Sequence, residues 1–186
     1  MKITYLKNLK KTPIIEGIKN EGVSEEKIDA LERKIGRKFP VAYREFLFLA
    51  GGSSGFFAQG DYGRFGELAK MQDDVKAELA RVNLKMDKDF WAIAAFDGGE
   101  QFACFYWDEG DNPAVYDVVI WDDELEIKRL GKTFAKYVAE TLAARDTPLA
   151  SKRTILWLIF LTLLVGLYFL GYLSDLRDAA SETFFR

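Results

Sequence analysis

One uncharged apolar run, Thr154–Leu173 (TILWLIFLTLLVGLYFLGYL), constrains this chain more than any other part of its sequence. As an α-helix, 20 residues would reach about 30 Å, which matches the hydrocarbon core of a bilayer. A helix buried in a small domain normally keeps a polar stripe, and this run has none. The run therefore predicts a membrane-spanning helix, with Trp157, Tyr168 and Tyr172 near its two ends, where such rings prefer to lie.

The position of the run predicts a tail anchor. Arg145, Lys152 and Arg153 lie before it, whereas Arg177 behind it is flanked by two aspartates. Because basic residues favour the cytoplasmic side, we expect a single-pass protein of the inner (cytoplasmic) membrane with its N-terminal domain in the cytoplasm. The expected segments are an N-terminal extension (1–22), a folded domain (23–146), a linker (147–153), the transmembrane helix (154–173) and a short tail (174–186).

The residue types that the chain lacks exclude much common chemistry. It contains no histidine and a single cysteine, Cys104. No disulfide can therefore form within the chain, and neither a histidine-based triad nor a Cys/His zinc site can be assembled. Cys104 lies in an apolar run, which is typical of a buried thiol in a reducing cytoplasm. We expect no cofactor, no metal, no small-molecule substrate and no enzymatic activity.

Acidic residues are concentrated in one part of the chain. From Asp97 to Glu126 the sequence has ten carboxylates and no lysine or arginine. Such a concentration repels nucleic acid and attracts a basic partner. The ten carboxylates are Asp97, Glu100, Asp108, Glu109, Asp111, Asp117, Asp122, Asp123, Glu124 and Glu126.

Four helices are predicted before the sheet. Ser24 and Gly36 mark the start and end of the first, and a second runs over Pro40–Ala50, burying Tyr43 and Phe46. The basic residues of this pair lie at the turn between the helices, which argues against a DNA-binding helix-turn-helix. Two further predictions concern an amphipathic helix containing Ile3, Leu6 and Leu9, and a helix over Glu67–Val82 with one apolar stripe.

From Phe90 the pattern changes to strands separated by Gly- and Asp-rich turns, which indicates an antiparallel meander. A closing helix, Lys132–Ala144, can cover one face of that sheet through Phe134, Val138 and Leu142. The expected fold is α+β, an antiparallel β-meander packed with helices on one face. The predicted strands are Trp91–Phe96, Gln101–Trp107, Ala114–Trp121 and Glu124–Leu130.

Several short motifs occur in a recognisable order. The stretch from Val-Ser-Glu-Glu-Lys-Ile at 23–28 to Gly51–Gly52, the turn Asp97-Gly98-Gly99 and the closing helix together resemble the SMI1/KNR4 (SUKH) superfamily over residues 23–143. Glu100–Gln101 departs from the family pattern, and the membrane anchor is an addition to it. The motif residues, to which we assign structural roles, are Pro40, Tyr43, Phe46, Gly51, Gly52, Gly98 and Gly99.

The resemblance implies a binding protein. Bacterial members are best known as immunity proteins that bind and neutralise polymorphic toxins, often nucleases or deaminases, and fungal relatives act as adaptors. We therefore expect a cognate toxin domain, with a basic surface, as the protein partner. The alternative is a membrane-tethered adaptor or scaffold in envelope or signalling regulation.

The acidic turns supply the candidate contact residues. Charge complementarity would speed association with a basic toxin, and exposed aromatic rings rimmed by acid are typical of interface hot spots. Three other interpretations remain open: solvated turns without function, a partial calcium loop at Asp108, Asp111 and Asn112, and a carboxylate-pair hydrolase. The candidate partner-binding residues are Asp108, Glu109, Asp111, Trp121, Asp122, Asp123 and Glu124.

Overall fold

The N-terminal part of the chain folds as one compact unit, Met1–Asp146. The expected linker, transmembrane helix and tail (147–186) lie outside the residues that are described, as does the candidate contact residue Asp123. Within the described ranges, no helix is both long enough and apolar enough to cross a bilayer. This computed structural model describes residues 1–9, 11, 14–15, 18–52, 64–122 and 124–146.

The first two helices, α1 (Glu25–Ile35) and α2 (Val41–Ala50), confirm the predicted pair. Ser24 lies at the N-cap of α1, although its side chain makes no capping hydrogen bond, and Gly36 ends the helix with a φ of 70°. That left-handed conformation carries little cost for glycine. Pro40 lies at the N-cap of α2, one residue before its predicted place.

The first nine residues form no helix, so the amphipathic helix predicted there is wrong. Leu6 and Leu9 are nevertheless buried in the core. The physical reason is Glu45 of α2, whose carboxyl oxygens accept the backbone N–H groups of three consecutive residues at 2.5, 2.9 and 2.9 Å. These contacts direct the N-terminal backbone through bends; the three donors are Thr4, Tyr5 and Leu6.

A short hairpin, β1 (Ile14–Ile15) and β2 (Ile18–Lys19), precedes α1. Between α2 and the sheet, α3 (Leu68–Arg81) confirms the helix predicted at Glu67–Val82, and its stripe of Met71, Val75 and Leu79 is buried. A final helix, α4 (Phe134–Asp146), begins two residues later than predicted and buries Phe134 and Val138.

Four antiparallel strands form the predicted meander in the order β3-β4-β5-β6. The pairing of β5 with β6 is regular from Trp121 opposite Glu124 to Tyr116 opposite Arg129, and its register then shifts. The strands are β3 (Phe90–Phe96), β4 (Gln101–Tyr106), β5 (Ala114–Trp121) and β6 (Glu124–Thr133).

Helices cover both faces of this sheet, so the predicted arrangement with helices on one face is wrong. Trp91, Ile93 and Phe105 pack with α2 and α4. The alternate residues Ala92, Phe102 and Cys104 point to the other face and pack with α3. The reason is that β3 and β4 are apolar along almost their whole length, so both of their faces require cover.

Candidate functional site

The sheet places the predicted partner-binding residues at two opposite ends. Asp108, Glu109 and Asp111 lie in the β4–β5 connection, whereas Trp121, Asp122 and Glu124 lie at the β5–β6 turn. The intervening strand β5 has 8 residues, which corresponds to about 25 Å. The acidic residues therefore do not form one continuous surface.

Glu109 and Tyr116 support the β4–β5 connection from within. Glu109 accepts a hydrogen bond from the Tyr116 hydroxyl at 2.5 Å and another from the backbone N–H of Ala114 at 2.9 Å. Burial, together with the bond to Glu109, raises the pKa of Tyr116 to about 12. Glu109 therefore has a structural role that its sequence context did not indicate.

The same connection caps two helices. The carbonyl oxygen of Asp111 accepts the backbone N–H of Ala42 in the first turn of α2 at 2.9 Å. At α4, the carbonyl of Pro113 accepts from Phe134 at 2.7 Å, and Asn112 Oδ1 accepts from the N–H of Ala135 at 3.0 Å. These bonds satisfy donors that a helix start leaves free.

The partial calcium loop finds no support in these contacts. Asn112 uses its side-chain oxygen as a helix cap, and Asp108 forms an ion pair with Lys88 at 3.0 Å. Among the residues that the structure describes, no three metal-ligating side chains lie close enough together to hold an ion.

The opposite end of the sheet presents a different surface, which we call the acidic tip. Trp121 is 79% exposed, and Asp122 and Glu124 are exposed beside it. The β3–β4 turn lies at the same end, where the backbone N–H of Ile120 donates to the carbonyl of Glu100 at 2.8 Å. The acidic tip consists of Asp97, Glu100, Trp121, Asp122 and Glu124.

Asp122 has an unusual backbone at the centre of this tip. Its φ is 51°, in the left-handed region that Asp and Asn enter more readily than other non-glycine residues. Trp121, at the end of β5, pairs with Glu124, at the start of β6. The turn therefore holds a large ring and a carboxylate on adjacent strands, exposed to solvent.

The family-motif residues of α2 build the core instead of a surface. Tyr43 is buried among Phe39, Phe105 and Phe134, and its hydroxyl accepts a hydrogen bond from Trp91 Nε1 at 3.1 Å. Burial raises the pKa of Tyr43, and the bond from Trp91 lowers it only in part. Phe46 is buried beside Tyr43, and Pro40 lies at the start of the helix.

Close backbone approaches explain three of the four motif glycines, and a left-handed backbone explains Gly98. A Cβ on Gly51 would lie 2.6 Å from the Cα of Leu47, and one on Gly52 would lie 2.7 Å from the carbonyl oxygen of Glu21. In the β3–β4 turn, Gly99 has a φ of 107° and lies against the backbone of Val75, whereas Gly98 has a φ of 68° with open space around it. Gly52 therefore allows close contact with the chain before α1, and Gly99 allows close contact with α3.

A basic groove of about 1130 Å³ lies between the end of α1, α3 and the start of β3. Trp91 and Trp107 contribute to its lining. The groove is lined by more basic side chains than acidic ones, the acidic residues being Asp73, Asp87 and Asp89. Asp89 forms an ion pair with Arg37 at 3.2 Å. The basic residues of the groove are Lys34, Arg37, Lys76, Lys85 and Lys88.

Sequence reasoning missed this groove because its basic residues come from separate elements. Lys34 lies in the last turn of α1, Lys76 lies in α3, and Lys85 lies in the loop after α3. None of these three lysines forms an ion pair with another described residue. No local motif could have joined them; the only signal was the excess of positive charge at the turn after α1.

Two comparisons with known proteins bear on the chain. No curated protein sequence matches it. The model of the SMI1 / KNR4 family (SUKH-1) matches residues 22–140, which is more than half of the chain. The matched residues include the helices α1, α2 and α3, the whole four-stranded sheet and the start of α4. The observed order of helices and strands agrees with the fold that the resemblance implied. The chain therefore belongs to the SMI1/KNR4 family (SUKH-1).

Proposed function

We propose that this chain is a membrane-anchored immunity protein that binds and neutralises a polymorphic toxin, such as a nuclease acting in the cytoplasm. Family membership supports a role in binding a protein partner. The anchor rests on the apolar run 154–173 alone. The protein would act stoichiometrically, by covering the active site of the toxin or the path of its substrate.

The exposed ring of Trp121 is the observation that carries this proposal. A tryptophan that is 79% exposed contributes nothing to the core, and its neighbours Asp122 and Glu124 are exposed carboxylates. Aromatic anchors surrounded by polar groups are typical of interface hot spots. Carboxylates around such an anchor attract a basic domain and discriminate against acidic partners.

Co-expression with a candidate toxin domain from a neighbouring open reading frame tests the proposal. The wild-type chain should protect cells and should bind the toxin domain in a pull-down. Trp121→Ala should weaken binding by about 30-fold, as expected for loss of a hot-spot residue worth about 2 kcal/mol. Ile14→Ala is the matched control, since Ile14 is 70% exposed in the β1–β2 hairpin.

The charged part of the acidic tip is tested separately with Asp122→Asn and Glu124→Gln. Asparagine tolerates the positive φ at 122, so the backbone of the turn should be preserved. The double variant should associate more slowly with a basic toxin, and the difference should be larger at low salt than at high salt. Equal affinity of all tip variants would remove the tip from the binding surface.

Failure of the wild-type chain to protect, together with absence of a complex, would overturn the immunity role itself. Binding of an envelope or signalling protein in place of a toxin would favour the adaptor. Deletion of Lys152–Arg186 tests the anchor: the remaining chain retains the compact unit Met1–Asp146, so it should bind as before and move to the soluble fraction. A truncated chain that still sediments with membranes would contradict the anchor.

A further inference from the structure

The two edges of the four-stranded sheet differ in how they are covered. At the β3 edge, the side chain of Gln72 bonds both the N–H and the carbonyl of Ala92, at 2.9 Å each. At the β6 edge, no described strand pairs with the outer side, and β6 is a terminal strand of 10 residues. Unpaired backbone groups along such an edge can accept a further strand.

The open edge is straight over seven residues. From Glu124 to Arg129 the pairing with β5 has no bulge, and the segment up to Leu130 contains no glycine or proline. Five of these side chains are exposed, including Ile127 at 37%, whereas Leu125 and Leu130 are half-buried. The edge therefore lacks the bulges and prolines that usually prevent strand addition.

The charges along β6 change sign at Ile127. Glu124 and Glu126 precede it, and Lys128 and Arg129 follow it. No described residue forms an ion pair with Glu126 or Lys128. If two copies of this strand pair antiparallel about Ile127, each Glu126 lies directly opposite a Lys128, and Ile127 faces Ile127. Opposite charges and apolar pairs in such positions stabilise a sheet.

We propose that two copies of this chain associate by antiparallel pairing of their β6 strands about a twofold axis at Ile127, which joins their sheets into one of eight strands. A parallel pairing in register would place like charges side by side, which is unfavourable. The interface is isologous, because the same strand serves both subunits. This association does not depend on the proposed immunity function, because the pairing does not use Trp121, which lies on β5. Of the acidic tip, only Glu124 lies in the paired strand.

Strand pairing alone covers less area than the roughly 1,600 Å² of a standard stable interface, so the dimer should depend on protein concentration. Disulfide trapping suits such an association. Residues directly opposite each other in antiparallel strands have Cα atoms about 4.5–5.5 Å apart, within the range of a disulfide. The two Ile127 residues satisfy this condition, whereas the two Glu124 residues would lie about 20 Å apart.

The experiment uses the full chain, expressed in cells and oxidised in the whole-cell lysate. Ile127→Cys should yield a disulfide-linked homodimer, at least about fivefold more than Glu124→Cys, whose thiols lie too far apart. The wild-type chain is the background control, because its only cysteine, Cys104, is buried. Equal trapping at both positions, or trapping of a different protein, would overturn the proposal.

Charge reversal tests the register. In the Ile127→Cys background, Glu126→Lys or Lys128→Glu alone places like charges opposite each other twice, and should reduce trapping at least about fivefold. The double change Glu126→Lys with Lys128→Glu restores opposite pairs and should restore trapping. Recovery in the double variant also shows that the changes leave the fold intact. Single variants that trap like the parent, or a double variant that does not recover, would overturn the pairing about Ile127.

Discussion

The side chain of Gln72 takes the place of a neighbouring strand for Ala92. Its Oε1 accepts the backbone N–H of Ala92, its Nε2 donates to the carbonyl of the same residue, and both distances are 2.9 Å. Ala92 is fully buried, so water cannot satisfy these backbone groups. Because β3 is an edge strand, no described strand lies on its outer side to bind them. Helix α3 thus closes the β3 edge while covering the sheet face.

Gln72→Ala should therefore destabilise the fold. Two buried backbone groups would lose their partners, which corresponds to about 2–5 kcal/mol in the free energy of unfolding. Lys76→Ala is the control, since Lys76 is exposed and lies one turn further along α3. This change should alter the free energy of unfolding by no more than about 0.5 kcal/mol. Urea unfolding measures both. A Gln72→Ala chain as stable as this control would show that the Ala92 bonds are dispensable.

Glu45 should hold the N-terminal residues onto the domain. Glu45→Gln replaces one acceptor oxygen with a donor that cannot bond the N–H groups of Thr4, Tyr5 and Leu6. We expect a loss of about 2–4 kcal/mol in the free energy of unfolding. Amide hydrogen exchange should accelerate at residues 4–6 more than elsewhere, whereas Asp73→Asn, on the surface, should leave these rates unchanged.

Glu32 should make the protein sensitive to acid. Burial raises its pKa, but hydrogen bonds from Arg44, Lys38 and the backbone of Phe39 outweigh this effect, so the folded-state pKa lies below the ordinary 4.5. The unfolded chain therefore binds a proton first as the pH falls. The stabilisation is complete above about pH 4.5 and is lost as the pH falls through the folded-state pKa.

The variant Glu32→Gln tests this dependence. It should be less stable than the wild type at neutral pH, because Arg44 loses its buried carboxylate partner. Its stability should fall less steeply between about pH 5 and pH 3, measured as the free energy of unfolding. If the free energy of unfolding falls as steeply with pH in this variant as in the wild type, other carboxylates, such as Asp29, determine the loss of stability in acid.

The Tyr116 hydroxyl should make stability fall at high pH. Its folded-state pKa of about 12 lies above the ordinary 10, so the unfolded chain releases its proton first when the pH rises. This contribution is present below about pH 10 and is lost as the pH rises through the folded-state pKa. Glu109→Gln should make the free energy of unfolding depend less steeply on pH in this range, because the carboxylate that binds the hydroxyl is gone. Tyr116→Phe should remove this contribution completely.

Those two variants also separate a structural role from a binding role for Glu109. Glu109→Gln leaves one acceptor oxygen for two donors, the Tyr116 hydroxyl and the N–H of Ala114, whereas Tyr116→Phe removes only the hydroxyl. If Glu109 only supports the loop, the two variants should keep wild-type affinity for the partner wherever they remain folded. A loss of affinity confined to Glu109→Gln would assign the residue to the binding surface.

Local patterns in the sequence predicted most of the secondary structure. The periodicity of Met71, Val75 and Leu79 predicted α3, and the turn signals around Gly98–Gly99 separated β3 from β4. These predictions succeeded because capping, turn formation and amphipathic spacing depend on residues close in the chain. The family motifs added the order of elements, and Tyr43 occupies the core position that they implied.

Long-range contacts were not predictable in the same way. The spacing of Ile3, Leu6 and Leu9 was helical, yet Glu45, some 40 residues away, binds the backbone amides and prevents a helix. The density of carboxylates suggested one acidic surface, but β5 separates the two turns. The amount of apolar surface on β3 and β4 required cover on both faces, whereas the order of elements alone suggested one.

The sequence by itself determined the order of helices and strands from α1 to α4, which residues are apolar enough to be buried, and which catalytic chemistries lack their residue types. It is also the sole basis for expecting the span at 154–173. The tertiary structure decided that Glu109 supports a loop while Trp121 faces solvent, although both lie in acidic turns. The physical reason is that a side chain's role depends on its partners in space, and the pairing of distant strands and helices selects those partners.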